Sequence, residues 1–182
     1  MINHVMRELL ESLHRQPLSD EMVQRLMGML DWAEAKPVFE MLIPEAEWRG
    51  RHPFPPSCET EESAGYDLPA FLYEPVTIGP GDTKVIRTGW SVWMPAGVEC
   101  QVRSRSGLAA KYGVSVLNSP GTVEPDYYPN DIKVILHNGG PEPFVVNHGD
   151  RIAQAVFAKF LRADGAVHKT TTREGGLGHT GR

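Results

Sequence analysis

From Val38 onward the chain is cut into short pieces: "VFEMLI", "PVTI", "TKVIRTGWSVWM", "VECQVRS", "VSVL", "IKVILHN", "PFVV" and "RIAQAVFAKF". Each is rich in β-branched or aromatic residues, and glycine or proline punctuates them. Such residues lose side-chain freedom in a helix and pack well on a pleated surface. Many short strands with frequent turn residues predict an all-β sandwich, jelly roll or barrel. Helical spacing returns only at "GLAAKYG", as a single turn, and 51–65, "RHPFPPSCETEESAG", is a loop carrying three prolines.

The first 36 residues have a different texture. Ile2, Val5, Met6, Leu9, Leu10 and Leu13 fall at helical spacing, and "QPLSD" breaks the pattern. Ser19 then caps a second helix, with Asp20 and Glu21 in its first turn and a stripe of Met22, Val23, Leu26, Met27, Leu30 and Ala33. Lys36-Pro37 ends it. Residues 1–36 are therefore expected to form a short α-helical hairpin, 38–170 a β domain, and 171–182 a mobile polar tail containing four glycines.

Charge and cysteine content narrow the partners. The net charge of −5 offers no bulk attraction to nucleic acid or to an anionic membrane, so phosphates must be handled at a focused site. Cys58 and Cys100 are the two cysteines, too few for a disulfide scaffold, and fit a reducing, cytoplasmic setting. No apolar run approaches the roughly 18–20 residues of a membrane span. The N-terminal stretch carries Glu8 and Glu11 where a signal peptide needs a basic segment and an apolar core.

Four stretches carry candidate chemistry. In "RSRSGLAAKYG", 103–113, Arg105 can pair with phosphate oxygens through its fork, Ser106 offers a hydroxyl, and Gly107 lets the backbone N–H approach an anion. In "TTREGGLGHTGR" four glycines alternate with Arg173, His179, Thr180 and Arg182, a composition that can fold over a polyphosphate. In "NSPGTVEPDYYPND", 118–131, Glu124, Asp126, Tyr127 and Tyr128 crowd what reads as one tight turn between strands. Asp67, in "AGYDLPA", can face a water of Mg²⁺, a metal that takes few direct protein ligands. No His/Cys cluster of structural-zinc type occurs in the sequence.

Together, "AGYDLPA", "RSGLAAKYGV", "NSPGTVEPDYY", "GDRIAQAVF" and "REGGLGHTG" occur in the order of the five motifs of the trimeric deoxyuridine triphosphatase (dUTPase) family, which the chain resembles over 38–182. The resemblance implies a β jelly roll, a homotrimer whose sites are shared between subunits, Mg²⁺ as cofactor, and hydrolysis of dUTP to dUMP and pyrophosphate. Glu124 would be the general base that polarises a water for attack on the α-phosphorus. Arg105, Ser106 and Gly107 would hold the phosphate chain, and Asp67 and Gln154 would hold waters of the Mg²⁺ shell. Asn118 and nearby backbone would read the uracil edge, and Tyr127 would pack on the deoxyribose. Arg173, His179 and Thr180 would close on the β and γ phosphates, with Leu177 over the base.

The motifs depart from the family pattern at four points. Glu124 stands where the family has aspartate, Leu177 where it has phenylalanine, and Pro129 where it has glycine, and Arg173 is one residue nearer the glycine pair. These departures keep open a diphosphatase of another or modified deoxypyrimidine triphosphate, or a regulatory protein that keeps the fold. The related deaminase branch carries a glutamate at the position of Ile135, so this chain lacks its acid/base residue.

Overall fold

A computed structural model of the chain describes residues 35–166. The two helices expected between Ile2 and Ala33 lie outside the described residues, as do the tail positions Arg173, Leu177, His179 and Thr180. The described part is built almost wholly of strands. In order they are β1 (Val38–Met41), β2 (Gly65–Pro69), β3 (Val76–Ile78), β4 (Thr83–Arg87), β5 (Trp90–Trp93) and β6 (Val98–Arg103), then β7 (Val114–Val116), β8 (Gly121–Val123), β9 (Lys133–Asn138), β10 (Phe144–Val146) and β11 (Arg151–Lys159). One helix, α1 (Ser106–Tyr112), and two 3₁₀ turns, Glu45–Glu47 and Pro125–Tyr127, interrupt them.

The strands form a four-stranded sheet, β2-β11-β6-β8, a three-stranded sheet, β4-β9-β7, and two pairs, β1-β5 and β10-β3, all antiparallel. Period-two burial explains why each stays in its sheet: β9 turns Val134, Leu136 and Asn138 inward, and β6 turns Cys100 and Val102 inward. Val134, Leu136, Cys100 and Val102 join Leu68, Ile78, Ile86, Val92, Val114, Val116, Val146 and Ile152 in one core. Each fully buried Leu, Ile or Val contributes about 1.5–3 kcal/mol relative to exposure. β11 is irregular between Arg151 and Ala153, so Ile152 and Ala153 are both buried and Arg151 is turned to the sheet's rim.

Two expectations are corrected here. The run "TKVIRTGWSVWM" is two strands in different sheets, split at Thr88-Gly89. Gly89 has φ of +76°, and a Cβ there would meet Ile43 Cγ1 at 2.9 Å, so the break requires glycine. Asp131 holds the break shut: its carboxylate accepts from Arg87 Nε (2.7 Å), Gly89 N–H (3.0 Å) and the Thr88 hydroxyl (3.3 Å). The segment 118–131 is likewise no single tight turn. It leaves the β7 sheet, forms β8 against β6, makes the 3₁₀ turn Pro125–Tyr127, and returns to β9. Pro120, Pro125 and Pro129 carry no N–H, which keeps its ladder to the three residues of β8.

The two cysteines sit in opposite environments. Cys58 is exposed, whereas Cys100 is buried and its thiol is pushed up to about 12, first by burial and then by Glu99. A folded pKa raised above the ordinary 9.0 gives stability that is complete below that pH and is lost as the pH climbs toward about 12. Maleimide is expected to label one thiol in the native protein, Cys58, and the second only after denaturant is added. Equal labelling of both thiols by mass spectrometry without denaturant would contradict this packing.

Candidate active site

The motif residues meet around one carboxylate. Asp67 lies in β2, opposite Gln154 in β11, and Gln154 lies opposite Arg103 at the end of β6. Two residues past that end, Arg105 turns back over the sheet. Its Nε and Nη2 donate to Asp67 Oδ1 and Oδ2 at 2.9 and 3.1 Å, and its Nη1 donates to the Arg151 carbonyl at 2.8 Å. Arg151 Nη1 approaches Asp67 Oδ2 at 3.1 Å and Glu59 at 3.2 Å, and Gln154 Nε2 donates to Asp67 Oδ1 at 3.3 Å. The Asp67 side chain is only 8% exposed, and its burial is compensated by the two guanidinium groups that surround it.

The cluster sets the phosphate-type loop. Ser104 fixes the turn after β6: its hydroxyl accepts from Val116 N–H (2.9 Å), and its own N–H donates to Ser119 Oγ (3.3 Å). Arg105 is the N-cap residue of α1, so Ser106 and Gly107 occupy the first helical positions, both exposed. The N–H groups there have no acceptor within the helix. A Cβ on Gly107 would meet nothing within 4 Å, and its φ is not left-handed. Neither strain nor internal crowding demands glycine there, so the open space is available to a group from outside the fold. A cleft of about 370 Å³ opens beside Arg105 and Arg151, walled by Leu108, Tyr112 and Phe144.

Asn118 belongs to this end of the sheet, since its neighbour Ser119 touches Ser104. A Cβ on Gly121 would come within 3.0 Å of Asn118 Nδ2, so glycine lets the Asn118 amide lie against the start of β8. Glu124 does not belong to it. β8 pairs Gly121 with Val102 and Val123 with Cys100, which puts Glu124 level with Glu99, about 16 Å along β6 from Ser104 at roughly 3.3 Å per residue. Glu124 is the half-buried residue preceding the 3₁₀ turn, and Tyr127 closes that turn with its hydroxyl donating to the Asp131 carbonyl at 3.0 Å. In one chain, therefore, Asp67, Arg105, Ser106, Gly107, Asn118 and Gln154 gather at one end of the sheet, and Glu124 and Tyr127 stand at the other.

Sequence reasoning missed Arg151, Ser104 and Asp131. Arg151 stood in the quoted "GDRIAQAVF", but its side chain reaches Asp67 only through the irregularity in β11, which leaves no mark in residue types. Two phenols near the site are shifted. Tyr66, next to Asp67, is raised above 10.0 first by the charge of Cys58, and Tyr128 is raised by its hydrogen bond to Glu40.

The donor set fits magnesium in one particular way. Among the described residues no three His, Cys, Asp or Glu side chains gather as a metal cage. Asp67 and Gln154 stand side by side: each Asp67 oxygen already meets two donors, so a magnesium water would reach it in place of one of them, and Gln154 Oε1 stands over Gly65. Such a pair suits the water shell of an ion whose other ligands come from a nucleotide.

Replacing Asp67 by Asn is expected to cost about 1–3 kcal/mol of stability, because the two guanidinium groups then face each other across a neutral amide. Urea unfolding checks this; an unchanged midpoint would show that the cluster does not hold the sheet end together.

Comparisons agree with the motif order. The dUTPase family model matches residues 54–181. Deoxyuridine 5'-triphosphate nucleotidohydrolase of Maricaulis maris is 48% identical over 132 residues, 69% of this chain and 86% of that protein. The protein of the same name from Chlamydia trachomatis is 49% identical over 131 residues, 69% of this chain and 90% of that one. Among solved structures, the dUTPase of Streptococcus mutans aligns with a TM-score of 0.56 at 33% identity, over 60% of this chain and 88% of that one. A mutant dUTPase from phage phi11 of S. aureus, described with a structural Mg(II) ion, shares the fold with a TM-score of 0.61 at 18% identity, over 76% of this chain and all of the other. The all-β expectation holds, and the chain belongs to the dUTPase family.

Proposed function

We propose that the chain hydrolyses dUTP to dUMP and pyrophosphate as a homotrimer, with each site assembled from more than one copy. The observation that carries this reading is the split of the motif residues along β6. A phosphate-holding end built on Asp67, Arg105 and Ser106 lies at the Ser104 end of β6, about 16 Å along the strand from the residue level with Glu124, too far for both to touch one phosphorus within a single chain. Curated relatives named as dUTP nucleotidohydrolases at 48–49% identity support the substrate.

In this reading the Ser106 hydroxyl and the Gly107 N–H bind phosphate oxygens, while Arg105, already turned onto Asp67, keeps the loop in place. Asn118 reads the uracil edge, and Tyr127, with its phenol anchored on Asp131, packs on the deoxyribose. The carboxylate of Glu124 takes the proton of a water whose oxygen bonds to the α-phosphorus as the bridge to the β-phosphate breaks, releasing pyrophosphate. Asp67 and Gln154 would hold Mg²⁺ through its waters, and the ion neutralises charge on the phosphate oxygens. Arg173, Leu177, His179 and Thr180 of the tail cover the nucleotide.

The function is tested by pyrophosphate release from dUTP, dCTP, dTTP and UTP, with and without Mg²⁺. Preferred turnover of dUTP with Mg²⁺ and rejection of UTP is expected. Preference for another deoxypyrimidine would transfer the assignment to that base, and no turnover of any would end the hydrolase reading. The base is tested by Glu124→Gln beside Asp126→Asn. The first is expected to bind nucleotide and lose roughly 10²-fold or more in kcat, with the second near wild type; the reverse outcome would move the base two residues along the turn.

A further inference from the structure

The matched family domain begins at residue 54, yet β1, at Val38–Met41, lies ahead of it and is firmly tied to the fold. It pairs along its whole length with β5, Glu40 opposite Ser91 and Met41 opposite Trp90. Alternation puts Phe39 on one face, where its ring meets Tyr66 and Phe157 at 5.5 and 5.7 Å, and Glu40 on the other. The Tyr128 hydroxyl donates to Glu40 Oε2 at 2.6 Å, across 88 positions of sequence. That distance lies in the range of charge-assisted O–H···O⁻ bonds.

Tyr128 follows the 3₁₀ turn that carries Glu124 and Tyr127 at its start and end. Its backbone is held loosely: the Tyr128 N–H reaches the Pro125 carbonyl only at 3.4 Å, and Pro129 has no N–H to give. The far end of the loop is secured, with Ile132 N–H donating to the Trp90 carbonyl at 2.8 Å and the Thr88 hydroxyl donating to the Ile132 carbonyl at 2.8 Å. The Glu40 bond therefore connects the loop's middle to β1, and both β1 and the loop's end rest on the same strand, β5.

We infer that Glu40 is a positioning residue for the base-and-sugar loop: its bond to Tyr128 braces the turn on which Glu124 and Tyr127 stand, so that β1 sets nucleotide affinity. The inference rests on the proposed dUTP hydrolysis for its kinetic consequence, but the brace itself is a property of the nucleotide-free protein. The Tyr128 phenol is raised above its ordinary value, first by this hydrogen bond, in agreement with the phenol being the donor. Glu124 follows directly on β8, whereas Tyr127 adjoins Tyr128 at the far end of the turn, so the loss of the Glu40 bond is expected to fall on Tyr127 and nucleotide binding more than on Glu124.

The test uses the full chain with Glu40→Ala, Glu40→Gln, Tyr128→Phe and the Glu40→Ala/Tyr128→Phe pair. Glu40→Ala and Tyr128→Phe are each expected to raise KM for dUTP about 3–10-fold, with kcat within about twofold. The double variant is expected to be no worse than the worse single, as two partners of one bond require. Glu40→Gln, whose amide oxygen still accepts the phenol, is expected to stay within about twofold of wild type. Amide exchange at Tyr127 and Asn130, both bonded inside the loop, is expected to quicken in nucleotide-free Glu40→Ala and Tyr128→Phe and not in Glu40→Gln. Wild-type protein without dUTP turnover would defeat the proposed function while the exchange measurement still decides the brace. Additive KM effects, or unchanged exchange in both Glu40→Ala and Tyr128→Phe, would overturn it.

Discussion

The candidate site depends on how one buried carboxylate is neutralised. Asp67 draws a guanidinium from the turn after β6, another from the rim of β11, and an amide from the adjacent residue pair. Arg105 arrives from the end of β6 and both Arg151 and Gln154 from β11, so satisfying the charge fixes β2, β6 and β11 relative to one another. The alternative, an unpaired carboxylate at 8% exposure, costs several kcal/mol or forces protonation. The loop that presents Ser106 and Gly107 is thereby positioned by an ion-pair cluster that also borders the site. Arg105 donates three N–H groups to Asp67 and the Arg151 carbonyl, so it serves the scaffold first.

The segment 118–131 solves a different problem with different means. Three prolines deprive it of ladder donors, and side chains stand in for the missing backbone bonds. The Tyr127 phenol and the Asn130 amide, the latter on the Tyr127 carbonyl at 2.6 Å, tie the turn to itself. Asp131 ties its end to the break between β4 and β5. Only Tyr128 reaches outward to β1 among these bonds. This polar density is what crowded the stretch with tyrosine, asparagine and acid. On the proposed function Glu124 and Tyr127 face the nucleotide, whereas Asp131 holds a strand break.

Much of this was legible in the sequence, for a physical reason. Period-two burial and β-branched content write strands directly into residue order, and β6, β9, β10 and β11 stand within a residue or two of their runs. The helical turn at "GLAAKYG" is α1, because its first residues are freed from the ladder and Gly113 supplies the left-handed end with φ of +69°. β2 (GYDLP) and β8 (GTV) were hidden because glycine, aspartate and proline dilute the β-branched content that marks the equally short β3, β7 and β10. The Thr88-Gly89 break was hidden because one glycine in a β-rich run looks like a tolerated residue until Ile43 is seen against it. Pairing partners were least legible. That Asp67 meets Arg105 and Arg151, and that Glu124 is set apart from both, follows from strand register, which no local pattern encodes.

Charge balance gives the split arrangement its logic. At the phosphate end, the guanidinium charges of Arg105 and Arg151 are matched by the carboxylates of Asp67 and Glu59. The scaffold is therefore close to neutral there, within a chain whose net charge is −5. A nucleoside triphosphate bears roughly one negative charge on each inner phosphate and up to two on the terminal one. That near-neutral cluster by itself does not offset so large a charge. On the proposed function, the compensating charge comes with the nucleotide as Mg²⁺ and from the tail as Arg173 and Arg182. Affinity for the polyanion is then conditional on the complete set of parts, and the isolated fold remains stable without one because its own arginines already have partners.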